Sequence, residues 1–358
     1  MSKKHFSWLL IVSVLVAAVA ILLPGRTAKE EITEKTMLLP GLQEQVNDID
    51  WLRIAGAGNE VLATLRREGD EWVVEEAAAY RADWSRLKPL LSGLASARIV
   101  EAKTSNPDYY DRLGVEDISA PGAGGYRVEF NAESGIPAVI IGQRAQGRKG
   151  QYARVDGSAQ SVLVDQQFEF PRDSQGWLDR EIIDIGEAEV VEIGIYHADG
   201  NTVVARKASA DDRNFELEAV PEGFEPRSEW SVNSLAGNLT ALNLDAVAPA
   251  ADIDWAGASR FRLLTADGLS TDAELVAVPA AEEGESEYWL RLQSSVYTTA
   301  VGSGVDDEAD RETVSERAAT INQKVSGRAY RIPKYKYDSM VKRMDDLVQA
   351  VEPAAEET

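Results

Sequence analysis

An apolar run near the amino terminus constrains this chain more than any other feature. The run covers residues 6–23 and is almost unbroken, with Lys3 and Lys4 before it and Pro24-Gly25-Arg26 after it. A helix needs roughly 20 apolar residues to cross the bilayer core, within a working range of about 17 to 25. We therefore expect one transmembrane helix that holds the rest of the chain as a large polar body.

The orientation of this anchor follows from the charges beside it. Positive side chains close to a span favour the cytoplasmic face, so we expect residues 1–25 to form a cytoplasmic tip and the anchor. The body then lies outside the cytoplasm, which in a bacterium is the periplasm. A cleaved signal peptide is the alternative, because Ala18-Val19-Ala20 has the small-x-small form of a cleavage site. The anchor is favoured, since Ile21-Leu22-Leu23 would otherwise become an apolar new terminus.

The body is strongly acidic. The whole chain has a formal net charge of −23. Residues 1–29 contain Lys3, Lys4, Arg26 and Lys29 and no acid, so the remainder carries −27. Such a surface repels phosphate backbones and anionic headgroups, which argues against nucleic-acid binding. The chain contains no cysteine, so disulfides, thiolate chemistry and a lipoprotein anchor are excluded.

The body shows the same plan twice. We predict one α+β repeat over residues 47–186 and a second over residues 187–351, with a polar tether at residues 26–46. Each repeat opens with strands, continues with a helix that begins at a Trp-Ser pair, and returns to strands. This pattern predicts antiparallel sheets with helices packed on them. Tight hairpin turns, which need positive φ, are predicted at Asp156-Gly157, Asp199-Gly200 and Asp267-Gly268. The equivalent segments are 49–54 and 190–195, 61–67 and 202–207, 71–74 and 214–217, 126–130 and 261–264, 152–155 and 288–292, and 161–164 and 328–332.

Spacings of three and four between apolar residues predict the helix of each repeat. The first helix begins near Trp84-Ser85, and Pro89 is expected to kink it or to delay its start. The second begins near Trp230-Ser231, with Ser228 as its N-cap. The apolar faces are Leu87, Leu91 and Leu94 in the first helix and Val232, Leu235, Leu239 and Leu242 in the second.

The carboxyl-terminal part departs from this plan. The second repeat carries an acidic insert at residues 302–327 that has no counterpart in the first repeat. A last helix is predicted from residue 338 to residue 351, and residues 352–358 are expected to form a disordered tail. Within the insert we predict a short amphipathic helix that uses Val314, Ala318, Ile321 and Val325.

Four motifs follow one another in the order of a known family. They are Glu71-Trp72-Val73-Val74, Ala82-Asp83-Trp84, the YDRLG sequence at 110–114 and the WLDREIIDI sequence at 177–185. Together with the anchor, they resemble the bacterial domain-of-unknown-function family numbered 4340 over most of the body. The resemblance implies a partner of gliding-motility-type ABC transporter auxiliary proteins, encoded beside ABC permeases, with a role in membrane export or envelope assembly. It brings no established catalytic residues.

Groups for catalysis or metal binding are scarce in the chain. The two histidines are His5, beside the anchor, and His197, just before the Asp199-Gly200 turn. A Ser-His-Asp triad would have to use His197, and an exposed hairpin histidine is more often incidental. Zinc sites draw on several Cys or His ligands, and the acidic run at residues 306–312 lacks the spacing and glycine of an EF-hand loop. We therefore predict no catalytic, cofactor-binding or metal-binding residues and no cofactor.

Two further features have ordinary structural interpretations. Residues 142–149 contain two glycines and basic residues, but lysine does not follow the second glycine directly and no hydroxyl residue comes next, as a P-loop requires. We predict a basic hairpin tip there, a docking point for an acidic partner. Trp51, Trp72 and Trp84 fall on predicted strands or a helix start, where a core aromatic is favoured over a sugar-binding platform.

Three functions remain open on these grounds. The preferred one is a single-pass inner-membrane protein whose periplasmic body binds other proteins, as an accessory of an ABC-type transporter or envelope assembly system. The alternative is a module for a small molecule or glycan, with the ligand between the two repeats, since domain interfaces commonly place ligand sites. The second alternative is a hydrolase that uses His197 or a Ser-Lys pair.

Overall fold

The computed structural model describes residues 36–280, 285–297 and 308–351. Within those three segments, none of the helices combines the length and the hydropathy of a membrane span. The predicted anchor at residues 6–23 and the predicted tail at 352–358 lie outside the described residues.

Short strands dominate the described part of the chain. The strands are β1 (Trp51–Ala55), β2 (Val61–Glu68), β3 (Glu71–Val74), β4 (Tyr80–Arg81), β5 (Ile99–Ala102), β6 (Tyr126–Phe130), β7 (Val139–Arg144), β8 (Gln151–Val155), β9 (Ser161–Val164), β10 (Glu181–Ile183), β11 (Val190–Tyr196), β12 (Thr202–Arg206), β13 (Glu216–Leu217), β14 (Phe224–Pro226), β15 (Leu242–Asn243), β16 (Ala246–Pro249), β17 (Ser259–Thr265), β18 (Leu269–Pro279), β19 (Ser286–Val296), β20 (Arg328–Arg331) and β21 (Val348–Ala350). The α-helices are α1 (Leu42–Gln45), α2 (Trp84–Ser96), α3 (Glu229–Asn233), α4 (Glu308–Val325), α5 (Lys334–Met340) and α6 (Met344–Leu347).

Two large antiparallel sheets organise these elements, so the predicted α+β class with antiparallel sheets is confirmed. The first sheet has the strand order β4-β3-β2-β1-β6-β7-β8-β9-β5, and the second has β13-β12-β11-β17-β18-β19-β20-β16. Apart from the extra β4, the two orders are the same. In both sheets the strand after the helix, β5 or β16, returns to the far edge and pairs with the last strand, β9 or β20.

Asp-Gly dipeptides form three of the tight turns in these sheets. Gly157, Gly200 and Gly268 have φ angles of 76°, 88° and 90°. Glycine adopts this left-handed region without the steric penalty of a side chain. The three turns predicted from the sequence are therefore confirmed.

Helix α2 begins at Trp84, although Pro89 inside it was expected to kink the helix or to delay its start. The side chain of Asp83 caps the helix by accepting a hydrogen bond from the backbone N–H of Ser85 at 2.9 Å. The helix then continues through Pro89 to Ser96. A proline within a helix removes a single backbone donor, and here the buried face of Leu87, Leu90, Leu91 and Leu94 holds the helix against the sheet.

The helix of the second repeat is shorter than predicted. Ser228 is its N-cap, as expected, since its Oγ accepts a hydrogen bond from the N–H of Ser231 at 3.1 Å. The α-helix ends at Asn233, and one stretch of 3-10 helix (Ser234–Leu239) follows. Leu242 is not on this helix, because Ala241 has a φ of 44° and the chain turns there into β15.

The cap at Ser228 leads to a first testable prediction. Replacing Ser228 by alanine is expected to lower the free energy of unfolding by about 1 kcal/mol, because an N-cap hydroxyl satisfies an otherwise unpaired helix donor. Urea unfolding followed by circular dichroism measures this loss. Ser105→Ala is the matched control, since Ser105 is exposed in a loop, and a surface change of this kind stays within about 0.5 kcal/mol. Equal losses for both variants would contradict the capping role.

The single last helix predicted for residues 338–351 is wrong. The chain forms α5 and α6 instead, and residues 348–350 form β21, which pairs with β14. Arg343, between the two helices, is extended, with φ −100° and ψ 167°. Met340, Met344 and Leu347 are all buried, so the apolar spacing that suggested one long helix is satisfied by two short ones.

The amphipathic helix predicted inside the insert is confirmed as α4. Its residues Val314, Ala318 and Val325 are buried, and Ile321 packs at the edge of the same core. Asn322 of this helix makes hydrogen bonds to the backbone N–H and C=O of Ser294 in β19, at 2.8 and 2.7 Å. Ser294 lies beyond the two residues of β19 that pair with β20, so the helix binds strand groups that would otherwise be free.

One continuous core joins the two sheets. Tyr80 in β4 and Tyr330 in β20 are both fully buried, and their rings meet edge to face with centroids 5.8 Å apart. Burial raises the pKa of Tyr80, and the neighbouring Tyr330 raises it further, so this phenol stays neutral at physiological pH. Residues 181–183 lie before the predicted boundary at 186, yet as β10 they pair with β15 of the second repeat.

Candidate functional site

Two tryptophans are exposed at equivalent places in the two repeats. Trp84 is the first residue of α2, and 51% of its surface is accessible; Trp230 is the second residue of α3, and 75% of its surface is accessible. The prediction that Trp84 belongs to the core is therefore wrong. Trp72 is buried as predicted, and Trp51 is half-buried.

The exposure of Trp84 has a simple geometric cause. Trp84, Leu87 and Leu91 follow the three- and four-residue spacing of one helix face. Leu87 and Leu91 are buried under the sheet. Trp84 continues the same apolar stripe one turn farther, beyond the part of α2 that the sheet covers. The stripe is thus left without a partner at its amino-terminal end.

A concave surface surrounds this end of α2. A cavity of about 380 Å³, which we call the Trp84 pocket, is lined among others by Asp70, Glu71, Trp72, Arg81, Trp84 and Asp179. It shares Asp83 and Ser85 with a second cavity of about 310 Å³. The second shares Arg86, Phe168 and Glu169 with a third of about 420 Å³. We call the three adjoining cavities the helix-start groove.

The Trp84 pocket has an excess of negative charge. The arginine of the pocket, Arg81, forms an ion pair with Asp179, with its Nε 2.6 Å from Oδ2. Arg81 also donates a hydrogen bond to the backbone carbonyl of Glu181. Burial lowers the pKa of Arg81, but Tyr80 and the hydrogen-bonded carboxylate of Asp179 outweigh it and raise that pKa. Arg81 therefore stays charged and paired.

The remaining carboxylates of the pocket differ in whether they have hydrogen-bond or ion-pair partners. Asp83 accepts from the N–H and the hydroxyl of Ser85, the latter at 2.6 Å. Asp70 and Glu71 are exposed, and within the described segments neither makes an ion pair. Two carboxylates without an ion pair among the described residues therefore line the same pocket as Trp84.

The rest of the helix-start groove is closer to neutral. Arg144 pairs with Glu169 at 2.7 Å. The floor is aromatic, because Phe168 is buried and the rings of Tyr126 and Phe170 stack with centroids 4.8 Å apart. This part of the groove offers apolar contact area, whereas the Trp84 pocket offers charge.

His197 has different surroundings from those expected of an exposed hairpin residue. It is half-buried; its Nδ1 lies 3.1 Å from the hydroxyl of Ser259, and its Nε2 lies 3.3 Å from the backbone carbonyl of Lys342. A carbonyl only accepts, so Nε2 donates to Lys342, whereas either Nδ1 or the Ser259 hydroxyl can be the donor in the other contact. These two ring contacts go to a hydroxyl and a carbonyl, and within the described segments no carboxylate is hydrogen-bonded to this ring.

The basic loop at residues 142–149 is a hairpin tip between β7 and β8, as predicted. Its charges are largely paired within the chain. Arg148 lies 2.7 Å from Glu101. The pKa of Glu101 is lowered by its hydrogen bonds to Lys103 and Arg148. The tip is therefore a weaker docking point for an acidic partner than its sequence suggested.

The YDRLG motif at residues 110–114 has a structural role. The hydroxyl of Tyr110 donates to the carbonyl of Ala159, and the Arg154 guanidinium lies over the Tyr110 ring at 4.8 Å. The carbonyl of Leu113 accepts from the N–H of Gln143 at 2.8 Å. These contacts hold the loop that contains the motif against the sheet.

The WLDREIIDI motif also serves the fold. Trp177 is fully buried, and its carbonyl accepts from the N–H of Asp83 at 2.7 Å. Asp179 pairs with Arg81, while Ile182, Ile183 and Ile185 are buried in the shared core. Among the apolar residues of the four motifs, Trp84 stands out, because about half of its surface is in solvent.

Comparison with known proteins identifies the family of the chain. No curated protein and no solved structure matches it. The sequence model of the family described as Domain of unknown function (DUF4340) matches residues 72–260, which is more than half of the chain. The matched range contains both Trp84 and Trp230. The chain therefore belongs to the DUF4340 family.

Proposed function

We propose that this protein is a membrane-anchored, periplasmic subunit that binds other proteins through the exposed tryptophans of its two repeats. The observation that carries the proposal is the exposure of Trp84 and Trp230 at equivalent helix starts. Tryptophan is enriched among the residues that dominate binding at protein interfaces. A large apolar side chain left in solvent in the first turn of the helix in both repeats is more simply explained by a partner than by chance.

The setting of this binding is part of the proposal. The apolar run at residues 6–23, with Lys3 and Lys4 before it, supports a single-pass inner-membrane anchor with the body in the periplasm. The likeness to partners of gliding-motility-type ABC transporter auxiliary proteins supports an accessory role in an ABC-type transporter or envelope assembly. The partner is then another protein of the envelope.

The two alternatives have less support. A ligand between the repeats needs a cleft there, whereas Tyr80 and Tyr330 pack against each other at the junction. A hydrolase needs an oriented histidine, and Ser259 does contact His197. The other nitrogen of that imidazole faces a backbone carbonyl, so the described part of the chain does not supply this ring with the carboxylate that orients a triad histidine.

Photo-crosslinking in living cells tests the proposal. A benzophenone amino acid is placed at position 84 or 230 of the full chain, and adducts are identified by mass spectrometry. We expect both positions to form adducts with an ABC-transporter or envelope protein. Position 109 is the control, because Tyr109 is also exposed, at 45%. Adducts absent from 84 and 230, or identical at all three positions, would overturn the proposal.

Alanine variants give an independent prediction. Trp84→Ala and Trp230→Ala are each expected to reduce co-purification of the crosslinked partner by about 30-fold, the equivalent of about 2 kcal/mol at a binding hot spot. Tyr109→Ala is expected to leave co-purification unchanged. All three variants should unfold within about 0.5 kcal/mol of the parent, since these side chains are exposed. A partner retained fully by the Trp84/Trp230 double variant would contradict the prediction.

A further inference from the structure

We infer that the Trp84 pocket receives a basic side chain, arginine or lysine, from an exposed segment of the partner protein. The inference rests on the proposed function and specifies the chemistry of the partner. Three observations lead to it: the charge of the pocket, the exposure of the Trp84 side chain, and a contact of arginine with both tryptophan and a carboxylate elsewhere in the chain.

The charge of the Trp84 pocket selects a cation. Its lining contains four carboxylates and one guanidinium, and that guanidinium is bound to Asp179. Asp70 and Glu71 remain without an ion pair among the described residues. A body with a net charge of −27 also favours the approach of positively charged segments and slows that of anionic ones.

The indole of Trp84 provides the second element of recognition. Tryptophan is the best aromatic partner for a cation placed within about 6 Å of its ring. The amino end of α2 carries a partial positive charge, which opposes a nearby cation. Here the carboxylate of Asp83, which caps the same helix end, offsets that positive charge.

The chain contains a complete version of this arrangement. In the second repeat, the guanidinium of Arg291 lies 4.6 Å from the ring centre of Trp255 and forms an ion pair with Glu274. The Trp84 pocket supplies the equivalent indole and carboxylates. Within the described segments, however, no arginine or lysine of the chain lies over the Trp84 ring. The missing cation is the one that we assign to the partner.

Fluorine NMR of the full-length protein in detergent micelles tests the assignment. The eight tryptophans are labelled with 5-fluorotryptophan, and the Trp84 signal is identified by its loss in Trp84→Phe. The probes are an arginine-containing peptide with blocked ends, the same peptide with citrulline in place of arginine, and chitotetraose. We expect the arginine peptide to shift the Trp84 signal and to leave the buried Trp177 signal in place.

Charge variants sharpen the test. Asp70→Asn with Glu71→Gln is expected to weaken binding of the arginine peptide about fivefold, as for two partly exposed ion pairs. Raising the salt concentration from about 50 to about 300 mM should weaken it further. Asp48→Asn with Glu133→Gln removes two other exposed carboxylates and serves as the matched control.

The outcomes separate the inference from the proposed function. Equal shifts with the citrulline peptide, a shift with chitotetraose alone, or no effect of the Asp70/Glu71 variant would overturn the basic-segment inference. If crosslinks at position 84 persist in cells while the arginine peptide causes no shift, the inference fails and protein binding stands. If the crosslinks are absent, the proposed function fails, whatever the peptide does.

Discussion

Replacing Trp177 by alanine is expected to lower the free energy of unfolding by about 3–5 kcal/mol. Trp177 is 0% exposed and is among the largest fully buried side chains in the core. Its removal leaves a large cavity just before β10. The hydrogen bond that the N–H of Asp83 donates to the backbone carbonyl of residue 177 then loses the packing that supports it. Because both sheets share this core, the loss should appear as a lower midpoint of the whole urea transition.

Trp230→Ala is the matched control for this prediction. The same chemical change is made at a residue that is 75% exposed, so we expect a change within about 0.5 kcal/mol. Trp177→Phe should recover a good part of the loss, since it restores most of the buried volume. Equal urea midpoints for Trp177→Ala and Trp230→Ala would show that Trp177 does not hold the core together.

Replacing Gly142 by alanine is expected to cost about 3 kcal/mol, at the upper end of the range for overpacking. A Cβ on Gly142 would lie 2.2 Å from the carbonyl oxygen of Leu113 and 2.7 Å from that of Gly114. Both obstacles are backbone atoms, so no side-chain rotation relieves the contact. The loop that carries the YDRLG motif would have to lift from β7, and its bond from Gln143 to Leu113 would break.

Hydrogen exchange and urea unfolding together measure this effect. In Gly142→Ala we expect faster exchange of the Gln143 amide as well as a lower unfolding midpoint. The control is Gly122→Ala, because a Cβ on Gly122 would have no heavy atom within 4 Å. Unchanged exchange at Gln143 in Gly142→Ala would mean that the loop is not held by this close approach.

Local sequence patterns predicted the parts of the fold that depend on local causes. Asp-Gly dipeptides predicted tight turns because the φ angle at glycine is a local property. The cap at Ser228 is equally local. The same reliance on local pattern explains why the predicted last helix is wrong. The spacing of Met340, Met344 and Leu347 fits one long helix as well as two short ones. Only the pairing of β21 with a distant strand, β14, decides between them.

The candidate site could not be predicted from the sequence alone. The Trp-Ser pair identified the position of Trp84, but its exposure depends on where the sheet stops covering α2. The charge of the Trp84 pocket likewise depends on Asp179 meeting Arg81 across a separation of 98 residues. Neither fact leaves a local pattern, so an aromatic core residue was the natural interpretation of Trp84.

The contact between Tyr80 and Tyr330 also bears on how the chain is made. Synthesis proceeds from the amino terminus, so Tyr80 leaves the ribosome about 250 residues before the ring that covers it. Until then the first half presents an uncovered aromatic patch, the kind of surface that promotes aggregation of unfinished chains. We therefore expect the unfinished chain to be more prone to aggregation until residue 330 has been synthesised.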